Sequence, residues 1–216
     1  MPEYFVGLDL GQTSDPTAVA VLERGGIPPA YDYAVRHLKR YQLGTAYTAI
    51  IPDVVALCNM PPLAGNCALV ADQTGVGRPI VEMLQASTSV LVKPVTITAG
   101  HTARQMEDLS YHVPKKDLVA VLQVLLQGRR LKVAGGLPLA ELLVKELTNF
   151  KVKITAAMNE TFGAWREGSH DDLVLAVALA CWLAEREPAW SGETFGLPKN
   201  DKSIAERAAE EGVFES

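Results

Sequence analysis

The sequence predicts an α/β fold, a mixed sheet made of an antiparallel three-strand meander plus parallel strands and flanked by helices. Three observations carry this reading. Near the N-terminus, apolar runs follow one another with only turn residues between them. From Thr45 onward, helical and strand spacing alternate. The last apolar run, Leu173–Ala184, has the length of a buried helix. With 216 residues, 48% hydrophobic and 21% charged, the chain can bury one substantial core and lacks the composition of a disordered protein.

Tyr4–Leu10 is a short apolar strand ending in Asp9-Leu10-Gly11. The turn formers of Gly11–Pro16 separate it from a second strand, Thr17–Leu22, and the two form a hairpin. Gly25-Gly26-Ile27-Pro28-Pro29 makes the next turn, and Tyr31–Tyr41 is a third strand carrying Arg36, His37, Lys39 and Arg40. Helical spacing then covers Thr45–Met60, with Pro52 marking an early start or a kink. Cys67–Ala71 is a buried strand ending at Asp72. Gln73–Arg78 is a glycine-containing loop, and Pro79 suits the first turn of a helix over Ile80–Ala86. Val90–Val95 is a further strand, so helix–strand repeats add parallel crossover units to the meander.

The polar stretch Thr96–Val113 reads as a long exposed loop, of the kind that is more often functional than not, and is a candidate for gripping substrate. Lys115–Leu126 is an amphipathic helix introduced by Pro114. Leu131–Val133 is a strand, Pro138–Leu147 a helix, and Lys151–Thr155 a strand with Lys151 and Lys153 on one face. A helix begins near Asp171 and runs to about Glu187. Residues 1–187 form one domain, and 188–216 a polar, acidic tail with a short helix at Ile204–Glu211. Trp165, Trp182 and Trp190 read as packing residues.

Several classes are excluded. Leu173–Ala184 is shorter than the roughly 18–20 apolar residues that span a bilayer, and no membrane partner is expected. No basic segment followed by an apolar stretch opens the chain, so no secretory signal and a cytoplasmic location are expected. Cys58, Cys67 and Cys181 form no Cys-x-x-Cys pair and read as reduced packing residues. The net charge of −5 is concentrated in Glu185–Ser216, where eight acidic residues meet four basic ones. The remainder is near neutral, which leaves a local basic surface for phosphates open.

Four acids stand at the ends of buried elements. Asp9 closes the first strand, Asp72 closes the first parallel strand, and Asp171 and Asp172 open the C-terminal apolar helix. Strand ends meet in the crevice at one sheet edge, so these positions converge if the meander lies beside the first parallel strand. Such carboxylates have no lysine or arginine close in sequence and repel unless cations neutralise them. Hard oxygen ligands select Mg²⁺ or Mn²⁺, and two ions about 4 Å apart activate a water and stabilise the leaving oxygen of a phosphodiester. Each acid also has a structural alternative: a turn residue at Asp9, an Asx-turn at Asp72, and an N-cap with a first-turn acid at Asp171-Asp172.

With these residues aligned, the sequence resembles the nuclease domain of the large subunit of phage terminases, the DNA-packaging motor. The resemblance rests on Val6-Gly7-Leu8-Asp9 with Asp15-Pro16-Thr17-Ala18, on Leu69–Gly77, and on Gly168-Ser169-His170-Asp171-Asp172-Leu173-Val174-Leu175-Ala176. Val113–Leu118, Glu146-Leu147 and Phe150–Lys153 resemble it as well. Together these span roughly residues 4–187. The resemblance implies a ribonuclease H-like fold in which Asp9, Asp72 and Asp171 hold two Mg²⁺ or Mn²⁺ ions. Asp172 is then an auxiliary ligand or exchanges roles with Asp171, with Asp171 favoured. It implies endonucleolytic cleavage of double-stranded DNA with little sequence preference. It also implies partners in a separate terminase ATPase subunit, the small terminase subunit and the portal.

One departure from that family matters. Met1 stands at the first strand, and there is no Gly-x-x-x-x-Gly-Lys-Ser/Thr loop. The expectation is an excised domain or a split, truncated or repurposed gene, with translocation outside this chain's own activity. Rival readings are a ribonuclease H-like Holliday-junction resolvase, a non-catalytic packaging module, and an actin-like or sugar-kinase-like ATPase. The last is raised by Asp9-Leu10-Gly11-Gln12-Thr13 but requires two such domains.

Basic candidates for DNA contact are Arg78, Lys93, Arg104, Lys115, Lys116, Arg129, Arg130, Lys151 and Lys153, with Lys132 and the third-strand cations beside them; a solvated face is the plain alternative. His170 is a candidate for orienting an acid or a water, or for capping the preceding loop.

Overall fold

The computed structural model describes residues 3–11, 15–27, 30–75, 77–157 and 171–187. Strands β1 (Tyr4–Asp9), β2 (Ala18–Ile27) and β3 (Ala30–Arg40) form the meander. Helix α1 (Tyr47–Asn59) leads to β4 (Cys67–Asp72), and α2 (Gly77–Ser87) leads to β5 (Leu91–Thr98). Then come β6 (Arg104–Gln105), β7 (Tyr111–Pro114), α3 (Lys115–Gln127), β8 (Leu131–Val133), α4 (Ala140–Ala157) and α5 (Asp172–Ala184). The strands join in one sheet in the order β6-β7-β5-β4-β1-β2-β3-β8. Strand β1 runs antiparallel to β2 and parallel to β4, while β5, β7, β3 and β8 continue in the direction of β1. The C-terminal ends of six strands therefore share one edge, which holds Asp9, Arg40 and Asp72.

Period-2 alternation decides which face each residue joins. Tyr4, Val6 and Leu8 of β1, with Leu69 and Ala71 of β4, pack under α1 and α2. Phe5, Ala68 and Val70 turn to the other face, where α3, α4 and α5 lie. Asp9 and Asp72 follow in the same alternation, on the α5 face. Three layers result, helices on both sides of the sheet.

Helix α5 is apolar all round because it is enclosed all round, by the sheet on one side and by α3 and α4 on the other. Its small residues let it sit close. A β-carbon on Gly7 would stand 1.9 Å from the carbonyl oxygen of Ala176 and 3.1 Å from the Ala180 nitrogen. Helix backbone thus rests almost directly on strand backbone.

Two expectations are corrected. The polar stretch after Thr96 is not one loop: β5 continues to Thr98, and β7 pairs with it in parallel while β6 pairs antiparallel with β7. Residues 151–155 are not a strand but the continuation of α4, whose sequence AELLVKELTNFKVKITAA contains no glycine or proline to stop it. The tail over 188–216, the helix expected at Ile204–Glu211, Trp165 and Trp190 lie outside the described residues. Trp182 is fully buried in the core. Among the described residues no helix is long and apolar enough to cross a membrane.

The close seat of α5 has a measurable consequence. Gly7→Ala is expected to lower unfolding stability by about 3 kcal/mol, since neither backbone can yield easily. The check is the denaturant midpoint; a shift equivalent to less than about 1 kcal/mol would contradict the packing.

Candidate functional site

The β1–β4 register runs in parallel up to Leu8 opposite Ala71. The next step sets Asp9 beside Asp72 on neighbouring strands, about 4.8 Å apart at the backbone. Both are buried at the C-terminal edge. The N-terminus of α5 brings Asp171 and Asp172 to the same place. Burial, and after it the charges of Asp72, Asp171 and Asp172, hold the Asp9 carboxyl well above the usual carboxylate range, while Lys115 opposes the shift. Four acids therefore share one electrostatic neighbourhood.

Their local geometries differ. Asp72 does form the turn that was its structural alternative: its Oδ1 accepts from the Thr74 backbone N–H at 2.8 Å and from the Thr74 hydroxyl. Thr74 Oγ1 in turn accepts from the Ile97 N–H at 2.8 Å, which ties this turn to β5. Gly75 closes it with a φ of 68°, a conformation that favours glycine. Asp171 occupies the N-cap position of α5, yet its side chain makes no capping hydrogen bond. Its Oδ2 is buried, accepts no hydrogen bond among the described residues, and lies 3.5 Å from Lys115 Nζ.

Asp172, the first residue of α5, is held by Arg40, whose Nε stands 2.6 Å from Oδ2 and whose Nη2 donates to Oδ1 at 3.2 Å. Arg40 ends β3 opposite Ala18, which is itself opposite Asp9, so the row across the sheet edge reads Asp72, Asp9, Ala18, Arg40. Arg40 also lies 3.8 Å from Glu146 of α4. Glu146 is buried, and its Oε2 accepts from the Val174 N–H at 3.4 Å. Burial, and then Asp172, push its carboxyl up to about 7 against the opposing pull of Arg40 and the first-turn N–H groups of α5.

The sequence-predicted cations divide between the two ends of the sheet. Lys115 and Lys116 begin α3 at the edge of the acids, where Lys116 Nζ meets His101 Nδ1 at 3.2 Å. Arg78, just after the Asp72 loop, pairs with Glu82 at 3.2 Å and Asp108 at 3.9 Å, and Arg104 is exposed on β6. Lys93 and Arg130 sit at the far end of α5, on Glu187 at 3.9 Å and Glu185 at 2.6 Å. A helix of that length spans about 20 Å, so these two do not meet the acids. Arg129 adjoins Arg130 there with a φ of 54°.

Lys132 pairs with Asp32 at 3.1 Å, Arg36 with Glu23 at 2.5 Å, and Lys39 with Asp53 of α1 at 2.7 Å. Burial, and then Lys39, lower the pKa of His37 on the same strand. Lys151 and Lys153 ride on α4, but their side chains, like His170, lie outside the described residues.

Two participants escaped the sequence reading. The sequence offers Arg40 only as a DNA contact, whereas in the structure it is the partner of Asp172. Glu146 was noticed only as part of a resemblance. Its signal was present: it follows Leu143 by three residues, which puts an acid on the buried stripe of a helix.

Among the described residues no three His, Cys, Asp or Glu side chains form a closed ligand set. The chemistry of the donors nevertheless fits a hard divalent cation. Asp9, Asp72 and Asp171 offer only carboxylate oxygens, Asp9 is destabilised as an anion by burial and then by the other acids, and Asp171 Oδ2 accepts no hydrogen bond among the described residues.

No family profile and no curated protein sequence matches this chain. Among solved structures, it is similar to the human cytomegalovirus terminase nuclease domain, with a TM-score of 0.50 at 16% identity over 84% of this chain and 83% of that one. The manganese-soaked form of that domain gives 0.50 at 15%, covering 83% and 82%. Thermus thermophilus RuvC gives 0.46 at 12%, covering 86% and 98%. The fold is the ribonuclease H-like mixed sheet that the sequence predicted.

The raised pKa of Asp9 sets the sign of a stability effect. Folding raises it above the ordinary 3.8, so the folded state binds the proton more tightly and stability falls as pH rises from that value through the folded pKa. In metal-free protein, Asp9→Asn is therefore expected to raise the melting temperature at neutral pH, with the gain fading as the pH is taken down to 3.8. A gain that does not vary with pH would contradict this account.

Proposed function

We propose that this chain is a two-metal-ion endonuclease that cleaves double-stranded DNA, as in phage genome packaging. The observation that supports the reading most is the pairing of Asp9 with Asp72 at the C-terminal strand edge, with Asp171 delivered to them by α5. Asp9, Asp72 and Asp171 would hold the ions. Bound there, Mg²⁺ or Mn²⁺ would lower the pKa of a water and offset charge on the phosphodiester. The fold is shared with a terminase nuclease domain that was studied soaked with manganese, which makes Mn²⁺ the first ion to try.

The chain's own residues contribute position and charge. β1 and β4 fix Asp9 and Asp72 side by side, and the Thr74 turn holds one oxygen of Asp72 so that the carboxylate cannot swing freely. Lys115 stands next to Asp171 on the open edge, where a phosphate backbone would pass, with Lys116, Arg78 and Arg104 further along it. Arg40 engages Asp172, which supports Asp171 as the ligand of the pair. Cytoplasmic work on DNA, beside a separate ATPase subunit, small subunit and portal, belongs to the same reading.

With Mn²⁺, the protein is expected to convert supercoiled plasmid to relaxed and linear forms. Asp9→Ala should lose more than the roughly 10–100-fold that removal of a merely supporting group costs. Wild-type protein that leaves plasmid intact at every Mn²⁺ and Mg²⁺ concentration would sink the proposal. Preferential cutting of four-way junctions over linear duplex would move it to a junction resolvase.

A further inference from the structure

We propose that Glu146, held in place by Arg40, caps the N-terminus of α5 in place of Asp171, and so keeps the Asp171 carboxylate available to the acid cluster. An N-cap aspartate ordinarily accepts from the second or third backbone N–H of its helix, here Leu173 and Val174. Asp171 has the position but makes no such bond. The Val174 N–H instead donates to Glu146 Oε2 at 3.4 Å, and the Leu173 N–H also faces that carboxylate.

Two of the orphan donors of the first turn therefore face an acid from another helix, sitting at the positive end of the α5 dipole. Arg40 makes this arrangement tenable. Its Nη1 lies 3.8 Å from Glu146 Oε1 and its Nε 2.6 Å from Asp172 Oδ2, so one guanidinium balances two buried carboxylates on the first turn. Relieved of capping, Asp171 places Oδ2 3.5 Å from Lys115 Nζ and close enough to Asp9 to raise its pKa. Were Asp171 to cap its own helix, its carboxylate would turn back on the first turn and leave that cluster. Glu146 and Arg40 are thus positioning residues, acting through Asp171 and Asp172.

The metal arm of the test rests on the reading of Asp171 as an ion ligand; the capping arm does not. Amide hydrogen exchange at Leu173 and Val174 is compared in wild type, Glu146→Ala, Glu146→Gln and Asp171→Ala, without metal. Glu146→Ala is expected to speed exchange of both amides about tenfold, while Glu146→Gln, which keeps a carbonyl acceptor, and Asp171→Ala leave it near wild type. Loss of protection in Asp171→Ala but not in Glu146→Ala would overturn the assignment. If Glu146→Ala does not fold, Glu146→Met fills the space without an acceptor and takes its place.

Mn²⁺ affinity is then titrated without DNA. It should fall about tenfold in Glu146→Ala and recover in Glu146→Gln, a split that a general loss of stability would not produce. Equal affinity in the two variants overturns the positioning role. Wild-type protein that binds no Mn²⁺ refutes the ligand reading of Asp171, and the amide data alone then decide the cap.

Discussion

The absence of a side chain at Gly7 is the constraint from which the rest of the arrangement follows. With only hydrogen there, the backbone of α5 can lie on the backbone of β1 at Ala176 and Ala180, one turn apart on the helix. That seat fixes the height and direction of the helix relative to the central strand. Asp9 stands two residues beyond Gly7, and Asp172 stands about one turn before Ala176. A contact between two backbone segments therefore sets where four charged groups meet. Ala184 continues the small-residue stripe of Ala176 and Ala180 by one more turn, and the enclosing layers explain why the helix has no polar side.

The two ends of α5 are held by opposite chemistry, as the helix dipole favours. At the C-terminus, Arg24 donates to the carbonyls of Ala184 and Glu187 at 3.2 and 3.1 Å, and Arg130 and Lys93 pair with Glu185 and Glu187. At the N-terminus, the carboxylates of Asp171, Asp172 and Glu146 gather, with Arg40 and Lys115 as the near cations. Burial, and after it the neighbouring like charges, raise the pKa values of Asp9 and Glu146 at that end. Perturbed acids converging at strand ends are a recurrent mark of functional sites, whereas the pairs at the other end are ordinary anchoring.

Much of this was legible in one dimension. The meander could be read because apolar residues alternate between clear turn formers, and the acids could be placed because each borders an apolar run. The edge of the sheet was harder. β6 and β7 are short, polar and near the margin, so their pairing leaves little trace in hydrophobic pattern. Lys151 and Lys153 imitate the two-residue period of a strand, yet an uninterrupted helix passes through them. The role of Arg40 could not be read from spacing at all, because it lies 132 residues from Asp172. A scan for cations near the acids in sequence finds none, while the fold supplies one from the third strand and another from the start of α3.

The order of the elements along the chain also governs when the acids meet. β1 and β4 pair directly, so Asp9 and Asp72 are neighbours wherever the central sheet is formed. Asp171 and Asp172 join only when α5, the last described element, docks over Gly7. During synthesis the chain emerges N-terminus first, and a nascent polypeptide halted before residue 171 carries an incomplete cluster. Assembly of the charged centre is in this way tied to the docking of α5.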